Sequence, residues 1–584
     1  MVFKKYNFFQ KDLFNVLFIF LIVSVLFSYN VISKTMTWRT DAYFHLSRIY
    51  DMTNSIQHFE FPLLVNVNSF ANVGQALNGL YPNFSLLPFI WITSIFTPIV
   101  QYGLINLLFV LLGSILNYFS FQKIGASKIQ ALTGVIVVLG LIDTHNFGSF
   151  NLQGSWSSYF TLPIVVLSMQ KLYKKVYIYI LPLAMAVAFT VNIHILSAVF
   201  LIIFILCYFL YLIFVSNNRL LLFGNFLSAG IISIILSLPT LASLLLFSKD
   251  QLSVPIPVSL GQQTVSIESM INSLSNPIIS NYSTASVPLQ GIMLLFDIVI
   301  FFQWSKFTKI GKQLIISMFI VQIIISPIFP WQLFDTTPLQ NLQFPARLVP
   351  FVLAVFITVI FTQRKLNNSV FLLSFVFMGL FFATTYQTND KIVKTNMPLL
   401  ATNEGQYRLS DLNRNFSTTI SNQTLNNPNF YTLSKAPEYS PEYKIDKKNF
   451  YSIWGSIIRH RVFNNEESVH GVKLIPHKNA ITYEFQSAIS GTFDLPFWKY
   501  KNMKYSVIDD KQRHLPVKLS KRGTVQVQSA HSVSELTIVV KNPNWYNYFV
   551  ILSLFSWIVA IVLTVITFKM KGLHFSLNKF KNSY

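Results

Sequence analysis

The stretch Trp38-Arg-Thr-Asp41-Ala-Tyr-Phe-His45-Leu-Ser-Arg48-Ile-Tyr-Asp51-Met-Thr-Asn-Ser-Ile-Gln-His58-Phe-Glu60-Phe-Pro62 decides how the rest of the chain is read. It follows the first long apolar segment and holds more ionisable groups than any other stretch in the N-terminal two-thirds of the sequence. Asp41, His45 and Arg48 stand at i, i+4 and i+7, so on a helix all three project from one face. Thr40 precedes them as a candidate cap, and the pattern through Ile56 predicts a helix. Two roles fit such a helix. It is either a solvated collar whose charges avoid lipid, or a catalytic or headgroup-binding element at the membrane surface.

Working outward, apolar runs near the ~20 residues needed to cross hydrocarbon recur along the chain. The 584 residues are 52% hydrophobic and only 11% charged, against about a quarter charged in a soluble domain. The expected class is therefore a polytopic α-helical membrane protein. The net charge of +22 does not imply nucleic acid. Much of the basic excess sits in short clusters between apolar runs, at Lys4/Lys5/Lys11, Lys123/Lys128, Lys171/Lys174/Lys175, Lys306/Lys309/Lys312, Arg364/Lys365 and Lys569/Lys571. That spacing is the signature of cytoplasmic loops. Membrane lipids are thus expected partners, and nucleic acid is not. The single Cys207 excludes a disulfide framework and a thiolate metal site. The first apolar run, Leu13 to Ile32, is longer than a signal-peptide core and is expected to remain as a helix.

Placing the basic clusters in the cytoplasm predicts a topology with both termini cytoplasmic. Helices are expected at about 13–33, 102–122, 128–144, 158–170, two within 176–215 joined near Asn192-Ile-His194, then 219–247, 288–304, 312–330, 347–362, 369–386 and 546–568, about twelve spans in all. Residues 34–100 form an external loop in which 82–98, interrupted by Pro82, Pro88 and Pro98, reads as re-entrant or interfacial. Three regions follow: 1–386 as the helical membrane domain, 387–545 as an extracellular domain, and 546–584 as a last span with a basic tail. Within the second, Ala480-Ile-Thr-Tyr-Glu-Phe, Gly523-Thr-Val-Gln-Val-Gln and Glu535-Leu-Thr-Ile-Val-Val alternate with period two, which predicts a β-sandwich-like unit from about 475.

The candidate functional residues gather at external loops and their ends: Asp41, His45, Arg48, Asp51, His58 and Glu60; Asp143 and His145; His194; Glu268; and Gln343-Phe-Pro-Ala-Arg347, of which His58 and Glu60 read as surface residues. Ionisable groups at membrane depth are costly unless they face protein or a wet cavity. Arg347 offers a planar fork suited to phosphate, beside a helix start with its own N–H donors. Asp143-x-His145 alone is a weak metal signal. The sequence contains no phosphate-binding Gly-rich loop and no nucleophile elbow.

The motifs Asp41-Ala-Tyr-Phe-His45-Leu-Ser-Arg48-Ile, Phe61-Pro62, Gly79-Leu-Tyr81-Pro82, His194-Ile-Leu-Ser197, Gln343-Phe-Pro345-Ala-Arg347, Pro437-Glu438-Tyr-Ser-Pro441 and Leu495-Pro496-Phe-Trp498-Lys-Tyr500 resemble a family of bacterial multi-pass proteins. The family is catalogued as "6-pyruvoyl-tetrahydropterin synthase-related" membrane proteins and is similar to the GT-C glycosyltransferase superfamily. The resemblance covers nearly the whole chain through short motifs. It implies a cell-membrane enzyme that moves a sugar from a polyprenyl-phosphate donor to a cell-surface glycan, polymer or lipid at the outer face. By the same resemblance Asp41 is the expected base or metal ligand and Asp143 a second acidic residue. Arg347 is expected to bind the lipid phosphate, with His45, Arg48, His145, His194 and Gln343 around the substrates. A divalent metal is compatible with that pattern, and no other cofactor is implied. One departure stands out: the second external loop carries Gln153 and Ser155 where related chains often place a Glu. The alternatives are a transporter or lipid-handling protein, and a catalytically silent GT-C-like assembly protein.

Overall fold

A computed structural model of the chain describes residues 2–37, 42–146, 157–253, 259–275, 287–343, 345–362, 419–433, 439–441 and 449–581. Asp41, Gln153, Ser155 and the expected span 369–386 lie outside the described residues. Among the described residues, six helices are long and apolar enough to cross a membrane: Pro98–Ile124, Ile195–Val215, Arg219–Leu236, Leu289–Lys306, Pro345–Thr362 and Asn544–Lys569. Shorter apolar helices accompany them, including Lys128–Leu141 and Leu238–Phe247. These helices point to a membrane protein.

Several elements position the candidate site. Helix α1 (Val2–Ser33) leads through strand β1 (Thr35–Thr37) to α2 (Ala42–Gln57). The α3 helix (Leu87–Thr93) is two turns long, and Trp91, Ile92 and Ile95 stay exposed around it; it does not cross. There follow α4 (Pro98–Ile124), α5 (Lys128–Asn146), α6 (Ser157–Tyr173), α7 (Ile180–Val191) and α8 (Ile195–Val215). The break between α7 and α8 falls at Asn192 to His194, where the sequence places it.

Residues 219–247 are expected as one helix, and here the structure differs. The chain forms α9 (Arg219–Leu236) and α10 (Leu238–Phe247), divided at Ser237, with Pro239 in the first turn of α10. Pro at that position fits a helix start, because the missing N–H has no partner there in any case. The Leu236 carbonyl at the break is recovered by three side-chain donors, Asn192 Nδ2 at 2.9 Å, Ser553 Oγ at 2.8 Å and Trp557 Nε1 at 3.0 Å. Between the expected helices 219–247 and 288–304 the structure adds a further helix, α11 (Ile267–Ser275). After it come α12 (Val287–Gln303), α13 (Lys309–Ile325) and α14 (Val349–Thr362), the last buried along its whole length.

The C-terminal region is one hydrogen-bonded sheet of eight strands. Two long strands, β2 (Ala480–Trp498) and β3 (Thr524–Lys541), pair antiparallel along their length, with register shifts between Ser529 and Glu535. Such irregularities bend a strand pair. Different short strands therefore flank its two halves: Lys473–Pro476 and Lys504–Asp509 on one, Val462–Asn464 and Lys518–Leu519 on the other. The sandwich expected from about 475 thus takes the form of a single sheet folded over on itself, and Ile481, Phe493, Val525 and Ile538 share one core. That core continues into the first loop through Leu64, Val65, Val67, Val73 and Ala76, and into α10 through Leu246 and Phe247.

Polar contacts fix the same junction. The Trp498 N–H donates to the Val73 carbonyl at 2.8 Å, and the Lys501 N–H to Asp250 Oδ1 at 2.9 Å. Asn542 bridges the Pro62 carbonyl and the Leu64 N–H at 3.0 and 3.1 Å. Glu60 reaches Lys478 Nζ at 3.0 Å and accepts from Asn479. Helix α15 (Phe450–Ile458) packs on the sheet, and from β3 the chain runs directly into α16 (Asn544–Lys581).

Candidate functional site

Helix α2 is buried on every side between His45 and Met52 except at half-buried Tyr50. The collar reading requires a solvated charged face, and the structure excludes it. Leu46, Ile49 and Met52 fill the bundle core. The opposite flank is closed by residues 428–433: the Tyr50 and Tyr431 rings stack 3.8 Å apart, and Ser47 Oγ donates to the Tyr431 carbonyl. The ionisable residues of α2 are therefore held in protein.

Arg48 is 1% exposed. Its guanidinium lies 4.0 Å over the Tyr81 ring and 5.4 Å from that of Phe44. It donates to the Pro82 carbonyl at 3.0 Å and to the Asn83 side-chain carbonyl, and it meets His45 Nδ1 at 3.0 Å. Its Nε, fully buried, has no acceptor among the described residues. The ion pairs among the described residues involve other cations. Burial pulls the Arg48 pKa down to about 10, opposed by Tyr81 and Tyr439, and the group stays charged at neutral pH. A buried cation held by neutral groups is costly by itself and is favoured where an anion completes it.

His194 caps α8, its Nδ1 accepting from the Ser197 N–H at 3.2 Å. In the neutral ring the proton then sits on Nε2, which makes that nitrogen a donor. Burial, followed by the positive charges of Arg347 and Arg48, pushes the His194 pKa down to about 3. His194 is thus neutral at physiological pH. The Tyr81 ring lies 6.1 Å from His194 and 5.9 Å from His45, so Tyr81 is the centre of the cluster. Arg347, on the single turn before α14, bonds the Gln343 side chain. Gln343 holds a positive φ of 61°, a conformation rare for residues with a side chain.

Contacts thus join the expected His45, Arg48 and His194 through Tyr81, and Arg347, paired with Gln343, adds its positive charge to the field at His194. Asp143 and His145 occupy the last turn of α5, and their side chains lie outside the description, as does Asp41. Among the described residues, no group of three His, Cys, Asp or Glu side chains is placed to hold a metal ion.

Sequence reasoning gives no role to Tyr81 or Asn83, and it counts Asp51 among the ionisable candidates of the first loop without assigning it one. Asp51 is buried one turn after Arg48, accepting from Asn66 Nδ2 and Ser69 Oγ, both at 2.5 Å. Burial raises its pKa to about 6 against those two hydrogen bonds. It lines a small polar cavity of about 20 Å³ with Asn54, Asn68, Asn78, Lys478 and Asn479, where the first loop meets the sheet. Spacing already pointed to Asp51, since it extends the stripe of His45 and Arg48 by a further turn. Tyr81 gave no such signal, because Tyr before Pro82 reads as a turn.

The sheet braces this cluster from behind. The Tyr500 hydroxyl accepts from the Ala76 N–H and donates to the Tyr439 carbonyl, both at 2.9 Å, and Tyr439 contributes to the field at Arg48. No family model, curated protein or solved structure matches this chain.

Proposed function

We propose that the chain is a membrane glycosyltransferase of GT-C type, with the cluster of Arg48, Tyr81, His194 and Arg347 as its seat for a lipid-linked phosphate. The observation that carries this reading is Arg48, a buried cation whose described partners are all neutral, joined through the Tyr81 ring to the neutral imidazole of His194. Phosphate takes charge-assisted hydrogen bonds from guanidinium forks, and a neutral imidazole adds an N–H donor without adding charge. Such donors act most strongly on charge that grows as a leaving group departs.

The chemistry proposed is a displacement at the sugar's anomeric carbon. An acceptor hydroxyl attacks that carbon, a new glycosidic C–O bond forms, and the bond from the carbon to the phosphate oxygen breaks with its electron pair on the polyprenyl phosphate. The arginines take up the developing charge. Asp41, directly before α2 in the chain, is the proposed base that receives the hydroxyl proton. The outer membrane face, a cell-surface glycan or lipid as acceptor, and roles for Asp143 and His145 belong to the same proposal.

The test pairs two variants in purified full-length protein. Arg48→Gln is expected to weaken binding of a polyprenyl-phosphate sugar at least tenfold. Asp41→Asn is expected to leave binding intact and to abolish sugar transfer to surface glycan in cells. Donor binding that survives Arg48→Gln, or transfer that survives Asp41→Asn, overturns the respective assignment. Donor binding with no transfer by the native chain favours the lipid-handling alternative.

A further inference from the structure

The opposite end of α14 holds a cavity that the transferase reading does not use. The helix from Val349, two residues after Arg347, to Thr362 is fourteen residues long, about 21 Å at 1.5 Å per residue. There a cavity of about 440 Å³ opens among the ends of α4, α6 and α14 and the turn between α12 and α13. That volume lies within the range of small-molecule sites.

The walls are of two kinds. Ile124, Val166, Phe307, Ile310, Leu314 and Val359 form an apolar side. Thr358 and Thr362 also line it, but their hydroxyls donate to the Ala354 and Thr358 carbonyls of their own helix. The polar side is Gln170, Lys306 and the first turn of α13, Thr308 to Gly311. Thr308 Oγ1 caps that turn by accepting from the Gly311 N–H at 3.1 Å, while the Lys309 and Ile310 N–H groups, at helix positions one and two, have no intrahelical acceptor. A helix start with an ammonium beside it favours an anion. No carboxylate is among the lining residues described, so the site offers nothing to an ammonium headgroup. Lys123 and Lys171 end the neighbouring helices α4 and α6 and add to the same positive field.

We propose that this cavity binds an anionic phospholipid, with its phosphate on Lys306 and the α13 N-terminus and an acyl chain along Phe307, Leu314 and Val166. The match is one of charge and polarity together: phosphate at the basic mouth, hydrocarbon against the apolar wall. The site stands independently of the Arg48 cluster, which lies at the other end of the bundle.

The experiment uses the full chain in lipid nanodiscs and in detergent, with native mass spectrometry to count bound lipid. Phosphatidylglycerol is expected to be retained at least tenfold over phosphatidylethanolamine. Lys306→Glu is expected to cut that retention about tenfold, and Leu314→Trp, which fills the apolar side, to abolish it. Lys473→Glu, on the distant sheet, is the control. Inorganic phosphate forms the second arm: displacement of the lipid by phosphate at micromolar concentration assigns the site to a free anion and overturns the lipid proposal. Equal retention of both lipids, or retention unchanged in Lys306→Glu, also overturns it. If Leu314→Trp fails to fold, the Lys306→Glu comparison decides alone.

Discussion

The Arg48 guanidinium lies 4.0 Å over the Tyr81 ring, and this pair joins the first buried helix to the turn that follows it in sequence. A desolvated cation–π contact contributes about 2 kcal/mol. Tyr81→Phe keeps the ring and is expected to leave stability within ~0.5 kcal/mol, whereas Tyr81→Leu is expected to cost about 2 kcal/mol. Unfolding in detergent, followed by intrinsic fluorescence, distinguishes the two; equal losses would assign the effect to the Tyr81 hydroxyl.

Arg48→Met removes the donors to the Pro82 and Asn83 carbonyls together with the charge. Unsatisfied buried acceptors cost about 1–3 kcal/mol, offset in part by no longer burying a cation. The net loss expected is about 1–2 kcal/mol, with anion binding lost outright. Isothermal titration with a soluble phosphate diester reads the binding, and the melting curve reads the stability.

Two groups give opposite pH dependences. His194, held down to about 3, resists a proton that the unfolded chain accepts below 6.5, so stability falls as pH drops from about 6.5 towards 3. Each unit costs at most about 1.4 kcal/mol, less because the ring is partly exposed. Asp51, raised to about 6, holds a proton that the unfolded chain has released, so stability falls as pH rises from 3.8 to about 6. Between pH 4 and 6 the two slopes oppose each other. Relative to the parent, Asp51→Asn is expected to make stability rise with pH across this window and His194→Gln to make it fall. Denaturant midpoints at pH 4, 5 and 6 check both signs.

Gly74 stands at φ +69°, and a Cβ there would come within 2.3 Å of the Phe497 ring. Gly74→Ala meets backbone strain and a buried aromatic at once, for an expected cost of about 2–4 kcal/mol. The damage should concentrate where the sheet docks. Limited proteolysis is expected to cut the first loop of the variant faster than that of the parent while the membrane helices remain intact.

Within the sheet, Arg522 donates to both carboxylate oxygens of Asp494, at 2.8 and 2.9 Å, with side chains 11% and 16% exposed. It also reaches the Arg461 carbonyl and stands 4.5 Å over the Phe463 ring. Arg522→Ala leaves a largely buried carboxylate unpaired, at about 3 kcal/mol. Arg522→Lys is expected to recover less than half of that, because an ammonium cannot form the paired bonds. Unfolding midpoints of the two variants settle the ratio.

The helices were legible because apolar runs of sufficient length have little alternative in lipid, and the α7–α8 break was marked by Asn192 and His194. The division at Ser237 was not read, although Pro239 marked it, since hydropathy alone runs unbroken across 219–247. Helix α11 was hidden among polar and Pro-containing neighbours. In the site, Arg48 and Arg347 were nameable from charge at membrane depth, while Tyr81 needed the fold to bring an ordinary turn residue under a guanidinium. Asp51 depended on a loop in which Phe70, Ala71 and Asn72 all take positive φ, a conformation that no residue there advertises.

The Asn542 bridge to Pro62 and Leu64 has a consequence for how the molecule is made. Its two ends are 480 residues apart, so the first loop cannot meet its partner until nearly the entire polypeptide has left the ribosome. At ~5–20 residues per second that interval is roughly half a minute to a minute and a half. Throughout it, Leu64, Val65, Val67 and Val73 wait without the sheet that covers them. A nascent chain halted before Thr524 would leave those side chains bare at the membrane surface, where quality-control proteases recognise unfinished products.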